Sequence, residues 1–199
     1  MIIELCGLPG SGKTTIAKKI EQETSYKIIK IENKKELLYY NFLFFLKYPV
    51  KFFSLFFYVC KNSESWKEFY LKLMNTFFHH NAKYQKALRF NRAIIDQGYF
   101  QNFLSVFNKA IDSKLFHKYL KLILHPDKLY IIKINPRERE NRLERRGYDF
   151  REDFSEKQRG VWRKVMMAND SLLQEEANNH KNWIAMENKR IEDIIKEIL

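Results

Sequence analysis

Gly7-Leu8-Pro9-Gly10-Ser11-Gly12-Lys13-Thr14 fits the spacing G-x-x-x-x-G-K-[ST] and follows directly on an apolar run, Met1-Ile2-Ile3-Glu4-Leu5-Cys6. The pattern predicts a strand, a tight turn and a helix that opens at about Gly12-Lys13. Gly7, Gly10 and Gly12 permit backbone angles and a close approach that side chains would block. The turn runs through Pro9 and Ser11; its N–H groups, which Pro9 lacks, and those of the helix N-terminus then converge on phosphate oxygens, where unpaired donors and the helix dipole both favour an anion. In such a loop Lys13 reaches the β- and γ-phosphates of a nucleotide. Thr14, with Thr15 beside it, offers a hydroxyl to Mg²⁺.

Two further groups could complete a transfer site. Asn91-Arg92-Ala93-Ile94-Ile95-Asp96-Gln97-Gly98 is an apolar run that ends in a carboxylate and a glycine. In a parallel sheet the carboxyl ends of neighbouring strands share one edge, so Asp96 is expected beside the loop. There it would hold water on Mg²⁺ or accept the proton of an attacking hydroxyl, unless it simply caps the next helix. Gln97 and Gln101, one turn apart, could hydrogen-bond an acceptor. The second group follows Asn135-Pro136, which starts a helix with proline in its first turn. At about 100° per residue, Arg139, Arg142, Arg145 and Arg146 fall within roughly a third of that helix's circumference, and Arg137 points elsewhere. This face is either solvated and paired with Glu138, Glu140 and Glu144, or it closes over a transferring phosphoryl group.

Short strands and longer helices must position these groups. Tyr26-Lys27-Ile28-Ile29-Lys30-Ile31 is a short β-branched run, and Glu32 at its end would face a second substrate. Residues 37–60 are dense in aromatics, but Lys47, Pro49 and Lys51 split them into two apolar pieces of about ten residues, short of the roughly 20 that cross a bilayer. Two helices joined at Pro49 are expected. Their aromatics would serve as core, as the wall of an acceptor pocket, or as a surface that docks on a membrane or partner. Glu64 to Leu88 reads as one long amphipathic helix, with His79-His80 as ordinary helix histidines. A fourth strand spans Lys128 to Ile134, a long helix about Ser155 to Asn178, and a fifth strand Asn182 to Met186. The loop Glu187-Asn188-Lys189 then leads to a terminal helix, where Asn188 would border an adenine ring.

With 199 residues, little glycine or proline, and no internal repeat, the chain suits one compact domain. Within it, residues 34–90 form a helical insertion on the acceptor side and 136–155 a lid. The 36 Lys+Arg against 24 Asp+Glu give a formal charge of +12, which favours anionic ligands. The basic residues cluster on one helix and form no stripe interleaved with exposed aromatics, so a nucleic-acid partner is not expected. Two cysteines without ligand spacing, and no secretory leader, point to a reducing cytoplasm.

In order, the phosphate loop, the Asp96-Gln97-Gly98 strand end, the Arg142 to Gly147 segment and the closing strand with its C-terminal helix resemble the thymidylate-kinase-like, nucleoside-monophosphate-kinase-like branch of phosphate-loop kinases. The resemblance implies an α/β fold with a five-stranded parallel sheet flanked by helices and ATP·Mg²⁺ as donor. It also implies Lys13 on the phosphates and lid arginines, Arg142 and Arg146 before Arg139 and Arg145, on the transition state. Thymidylate kinases usually carry Asp-Arg where this chain has Asp96-Gln97, and a Thr-Arg-Glu-Pro-Gly-like segment where it has Ile31-Glu32-Asn33-Lys34. Three readings follow: a kinase for a hydroxyl of a nucleoside, sugar or other metabolite; a nucleotide kinase using Arg89 or Arg92 on the acceptor phosphate; and a regulatory nucleotide-binding protein acting through a partner or membrane surface. Asn188-Lys189-Arg190-Ile191 lacks the aspartate of a guanine-specifying motif.

Overall fold

The computed structural model describes residues 1–145, 155–187 and 191–198. Five parallel strands form one sheet in the order β2-β3-β1-β4-β5. Strand β1 (Ile2–Cys6) is buried along its whole length and lies between β3 (Ala93–Ile95) and β4 (Lys128–Lys133). A central strand covered on both faces reads as a continuous apolar run, and Glu4 is the one residue of β1 that breaks it. The edges are β2 (Lys27–Ile28), shorter than its apolar run suggests, and β5 (Trp183–Glu187). Because all strands run the same way, the residues after β1, β3 and β4 meet at one edge: the phosphate loop, Asp96 and the start of the arginine helix.

Helix α1 (Lys13–Glu23) follows the loop and buries Ile16, Ala17 and Ile20 against one face of the sheet, together with Met186 and α10 (Ile191–Ile198). The other face carries a larger core. Phe100, Phe103 and Leu104 of α6 (Tyr99–Val106) join Phe116 and Tyr119 of α7 (Ser113–Leu122) there. They pack with Met166 and Leu173 of α9 (Glu156–Ala177), a helix opened by a Ser155/Gln158 capping box.

Between β2 and β3 stand only helices. Asn33 caps α2 (Lys34–Lys47), and Pro49 opens α3 (Pro49–Lys61), as a ring that lacks an N–H permits at a first turn. The two are bent by 116° at the break, and among the described residues no single helix is long and apolar enough to cross a membrane. The expected long helix contains a π-helical stretch, Leu73–His79, between α4 (Trp66–Lys72) and α5 (His80–Ala87). Hydrophobic spacing cannot reveal such a stretch, because the apolar positions still fall on one side. The apolar residues of this stretch divide in two ways: Tyr40, Phe44, Leu55 and Val59 are buried, whereas Phe42, Val50, Phe53 and Phe57 are exposed.

Candidate active site

The loop has the conformation its glycines allow. Gly10 and Gly12 adopt φ of 88° and 90°, left-handed angles that a side chain resists, and a Cβ on Gly7 would lie 2.5 Å from the Ile132 carbonyl oxygen. Helix α1 is capped by Gly12 with no side-chain hydrogen bond, and its first turn carries no acid. Its leading N–H groups have no intrahelical acceptor, so both donors and dipole face an external anion. Lys13 is folded back into the loop, with Nζ 2.8 Å from the Gly7 carbonyl, 3.0 Å from that of Leu8 and 3.1 Å from Ser11 Oγ. Thr14 and Thr15 stand exposed on the first turn.

Two arginines close on the loop. Helix α8 (Pro136–Glu144) lies against it so that Arg139 Cγ is 3.1 Å from where a Gly10 Cβ would be, and Arg142 Nη1 is 3.2 Å from the same point on Gly12. Arg142 also reaches the Gly10 carbonyl at 3.4 Å and pairs with Glu138 one turn back. Arg139 Nε is buried and makes no hydrogen bond. Arg145 is exposed, and Arg146 and Asn188 lie outside the described residues.

Asp96 is no cap. The N-cap of α6 is Gly98, which has no side chain to offer, and the two donors of that turn are taken from below by Glu4. Its carboxylate accepts from Phe100 N at 2.7 Å, Gln101 N at 3.0 Å and Tyr84 Oη at 2.5 Å. Burial pushes the Glu4 carboxyl up to about 7 against the pull of these donors and of Lys83. Asp96 instead faces Lys83 of α5 at 3.8 Å, and the same ammonium is 3.0 Å from the Gln97 carbonyl. Burial lowers the Lys83 pKa, and Asp96 works against that shift.

The remaining candidates divide between the two edges of the sheet. Gln101 Oε1 accepts from Gly7 N at 3.1 Å, so its side chain braces the loop. Arg92 precedes β3 and therefore stands at the amino edge, opposite the loop, where it bonds Ser25 Oγ at 3.1 Å and covers the Tyr26 ring. Arg89 is held by Tyr39 Oη at 2.6 Å and covers the Tyr39 and Tyr40 rings. Glu32 and Gln97 are exposed at the carboxyl edge.

Three residues escaped the sequence reading. Glu4 and Lys83 are two. The third is Asp170 of α9, whose carboxyl burial raises to about 6 although Gln174, Lys13, Arg139 and Lys133 draw it down. Its Oδ2 accepts from Gln174 at 2.6 Å, while its Oδ1 is buried without a hydrogen bond. The signal was present: Met166, Asp170, Leu173 and Ala177 recur at helical spacing, which puts an acid on the buried stripe.

Beside this centre a cleft of about 860 Å³ opens between α4 and the π-helical stretch, α6, and the first half of α9. Polar Asn75, Thr76 and Asn102 line it against Phe107 and Trp162. Neither the loop nor Asp96 lines the cleft. It adjoins them through α6, since Asn102 follows the Gln101 that braces Gly7, and Asn102 is fixed by a 2.6 Å bond to Thr76 Oγ1. No residue of the aromatic stretch 37–60 lines this cleft.

No protein-family model and no curated protein matches the sequence. Solved structures do match along the whole chain. A deoxyadenosine kinase from M. mycoides with bound dATP is 15% identical with a TM-score of 0.55, covering 100% of this chain and 97% of that one. The same enzyme with dCMP and dCDP gives 14% and 0.59, with 100% and 96% covered. Thymidylate kinase from Candida albicans gives 13% and 0.52, with 99% and 88% covered. The chain thus has the fold of phosphate-loop nucleoside and nucleotide kinases, a five-stranded parallel sheet flanked by helices.

Proposed function

We propose that the chain is a phosphotransferase that moves the γ-phosphoryl group of ATP to a hydroxyl of a small acceptor, with nucleosides the first class to test. The observation that carries this reading is the convergence of three groups at one sheet edge: a helix N-terminus with no side-chain cap, two arginines over it, and the Asp96 carboxylate on the adjoining strand end. The kinase neighbours, one with bound dATP and another with dCMP and dCDP, support the same class.

Each residue then has a physical task. The loop N–H groups hold the donor phosphates, and Lys13 leaves its loop carbonyls to neutralise their charge. The exposed Thr14 hydroxyl and the Asp96 carboxylate are hard oxygen donors at neighbouring strand ends, a set that suits Mg²⁺ with its remaining positions filled by water and phosphate. Bound there, Mg²⁺ would screen charge on the β- and γ-phosphates. Arg139 and Arg142 supply donors to the equatorial oxygens as charge develops. Asp96 takes the proton from the acceptor hydroxyl, and Lys83 holds that carboxylate in place. Gln101, Glu4 and Gly98 fix the start of α6 and, through Gly7, the loop itself.

A hydroxyl acceptor is favoured over a phosphate because Arg89 and Arg92, the cations offered for an acceptor phosphate, are engaged away from the carboxyl edge. A phosphorylated acceptor remains the second reading on one observation, the presence of Lys67 and Lys157 in the cleft wall. A panel of nucleosides, nucleotides and sugars incubated with ATP and Mg²⁺ decides between them. ADP formation dependent on a nucleoside supports the proposal, dependence on a nucleoside monophosphate transfers it to the second reading, and ADP release indifferent to every acceptor refutes both.

A further inference from the structure

At the opposite edge of the sheet, His117 of α7, Glu176 of α9 and His180 in the turn before β5 bring three donor atoms within 4.8 Å of one another. The amino end of β5 lies here and the phosphate loop lies beyond the carboxyl ends, so this cluster belongs to no part of the transfer site. Each of the three is oriented by a neighbour. His117 Nδ1 is 2.7 Å from the Ser113 carbonyl oxygen, which takes its proton and leaves the Nε2 lone pair facing Glu176 Oε2 at 3.6 Å. Ser113 Oγ donates to Glu176 Oε1 at 2.5 Å, and Oε2, which has only a long 3.5 Å contact from Asn179 Nδ2, is the oxygen that faces His117. His180 is stacked on Trp183 with ring centroids 3.9 Å apart, and its Nε2 is buried with no hydrogen-bond partner.

A buried imidazole nitrogen without a partner loses free energy that an ion would restore. Glu176 is itself only 6% exposed, an unusual place for a carboxylate that serves nothing but a rim contact. A histidine whose second nitrogen is tied to a carbonyl, as in His117, and a carboxylate whose second oxygen is tied to a hydroxyl, as in Glu176, are the arrangement that presents metal ligands. In a tetrahedral zinc site with bonds near 2.0 Å, neighbouring donors stand about 3.3 Å apart. The His117–Glu176 pair is already close to that, and side-chain rotation of roughly 1.5 Å closes the widest gap.

We infer that His117, Glu176 and His180 bind a divalent transition-metal ion, Zn²⁺ in the first instance, with water at a fourth position beside the half-exposed His117. Two imidazoles and one carboxylate select such an ion over Mg²⁺ or Ca²⁺, which prefer oxygen alone. The bound ion clips α7 to the end of α9 and the start of β5, so its role is to stabilise the fold.

Competition against a fluorescent zinc chelator, on the full chain, tests this. Wild type is expected to take one Zn²⁺ with micromolar or tighter affinity, unaffected by Mg²⁺ in large excess, and to melt at a higher temperature with zinc than without. His117→Gln combined with His180→Gln should remove that site, and Ser113→Ala, which touches no ion, should weaken it roughly tenfold. Co²⁺ in place of zinc should give the strong visible absorption of a tetrahedral site in wild type and lose it in the double variant. Should the double variant fail to fold, Glu176→Gln and Ser113→Ala give the same ranking. Zinc binding of equal strength in wild type and variants, or none in wild type, overturns the inference.

Discussion

Gly98→Ala should destabilise the fold by about 3 kcal/mol, and most of that loss should vanish when Glu4 is alanine as well. The backbone at Gly98, with φ −124° and ψ −154°, admits alanine, so the whole cost arises from contact. The new methyl would sit 2.4 Å from Glu4 Oε2, 2.5 Å from Cδ and 2.8 Å from Oε1, which no packed structure tolerates. To clear it the carboxyl must retreat by roughly 1 Å, since carbon contacts are optimal beyond about 3.5 Å. It cannot do so and keep its bonds to Phe100 N, Gln101 N and Tyr84 Oη, the longest of which is 3.0 Å. Overpacking costs about 1–3 kcal/mol, and a weakened bond to a charged group about 1.5–3 kcal/mol before relaxation. Glu4→Ala alone should cost a comparable amount, because two helix N–H groups lose their buried acceptor. The methyl then has room, so the double variant should be more stable than the sum of single effects by about 2 kcal/mol. Urea unfolding of the four proteins, read at constant m, measures this. Strict additivity would show that Glu4 does not hold the start of α6.

The same carboxyl governs a pH effect. Its folded pKa of about 7 lies above the ordinary 4.5, so its contribution to stability is present below pH 4.5 and is lost as pH rises through 7. Unfolding free energies of Glu4→Gln and wild type should therefore diverge in favour of the variant by about 3 kcal/mol between those limits, and parallel curves would refute the burial argument. Buried His80, held well below its usual value by burial, acts in the opposite sense as pH falls through 6.5, which is why the difference between the two proteins must be read and not wild type alone. Arg142→Ala should cut turnover by about 10²–10³-fold while changing stability by less than about 1 kcal/mol, since its pairing with Glu138 is half exposed; initial rates and melting curves separate the two. Gly7→Ala drives a methyl into the Ile132 carbonyl oxygen, so nucleotide affinity by calorimetry should fall at least tenfold, and unchanged affinity would mean that the loop is not the phosphate cradle.

What could be read in the sequence was whatever obeys local spacing. The glycine pattern of the loop, the Pro49 break, the apolar run ending at Asp96 and the arginine face of α8 each announce a geometry within a few residues. Arg139 and Arg142 do meet the loop because a helix face is set by its own periodicity. Contacts that depend on packing between distant segments are not legible in this way. The helical turn that joins Gln97 and Gln101 does not reveal that Gln101 accepts from Gly7 N. Arg92 stands before its strand and so belongs to the amino edge, a distinction of one residue's position that parallel topology makes decisive. Glu4 could have been suspected, since an acid inside a fully apolar central strand must find donors; that they would be the first turn of α6 follows only from the fold. The set proposed for zinc has a local spacing only in Glu176 and His180, four residues apart; His117 joins them through packing of α7 on α9.

Transfer of the γ-phosphoryl group tests the central claim most directly. With γ-labelled ATP, Mg²⁺ and the acceptor that the panel selects, wild type should place the label on the acceptor, and Lys13→Ala, folded to the same degree, should do so at least about a hundredfold more slowly. Label that never reaches any acceptor, or transfer that proceeds undiminished without Lys13, would contradict the account.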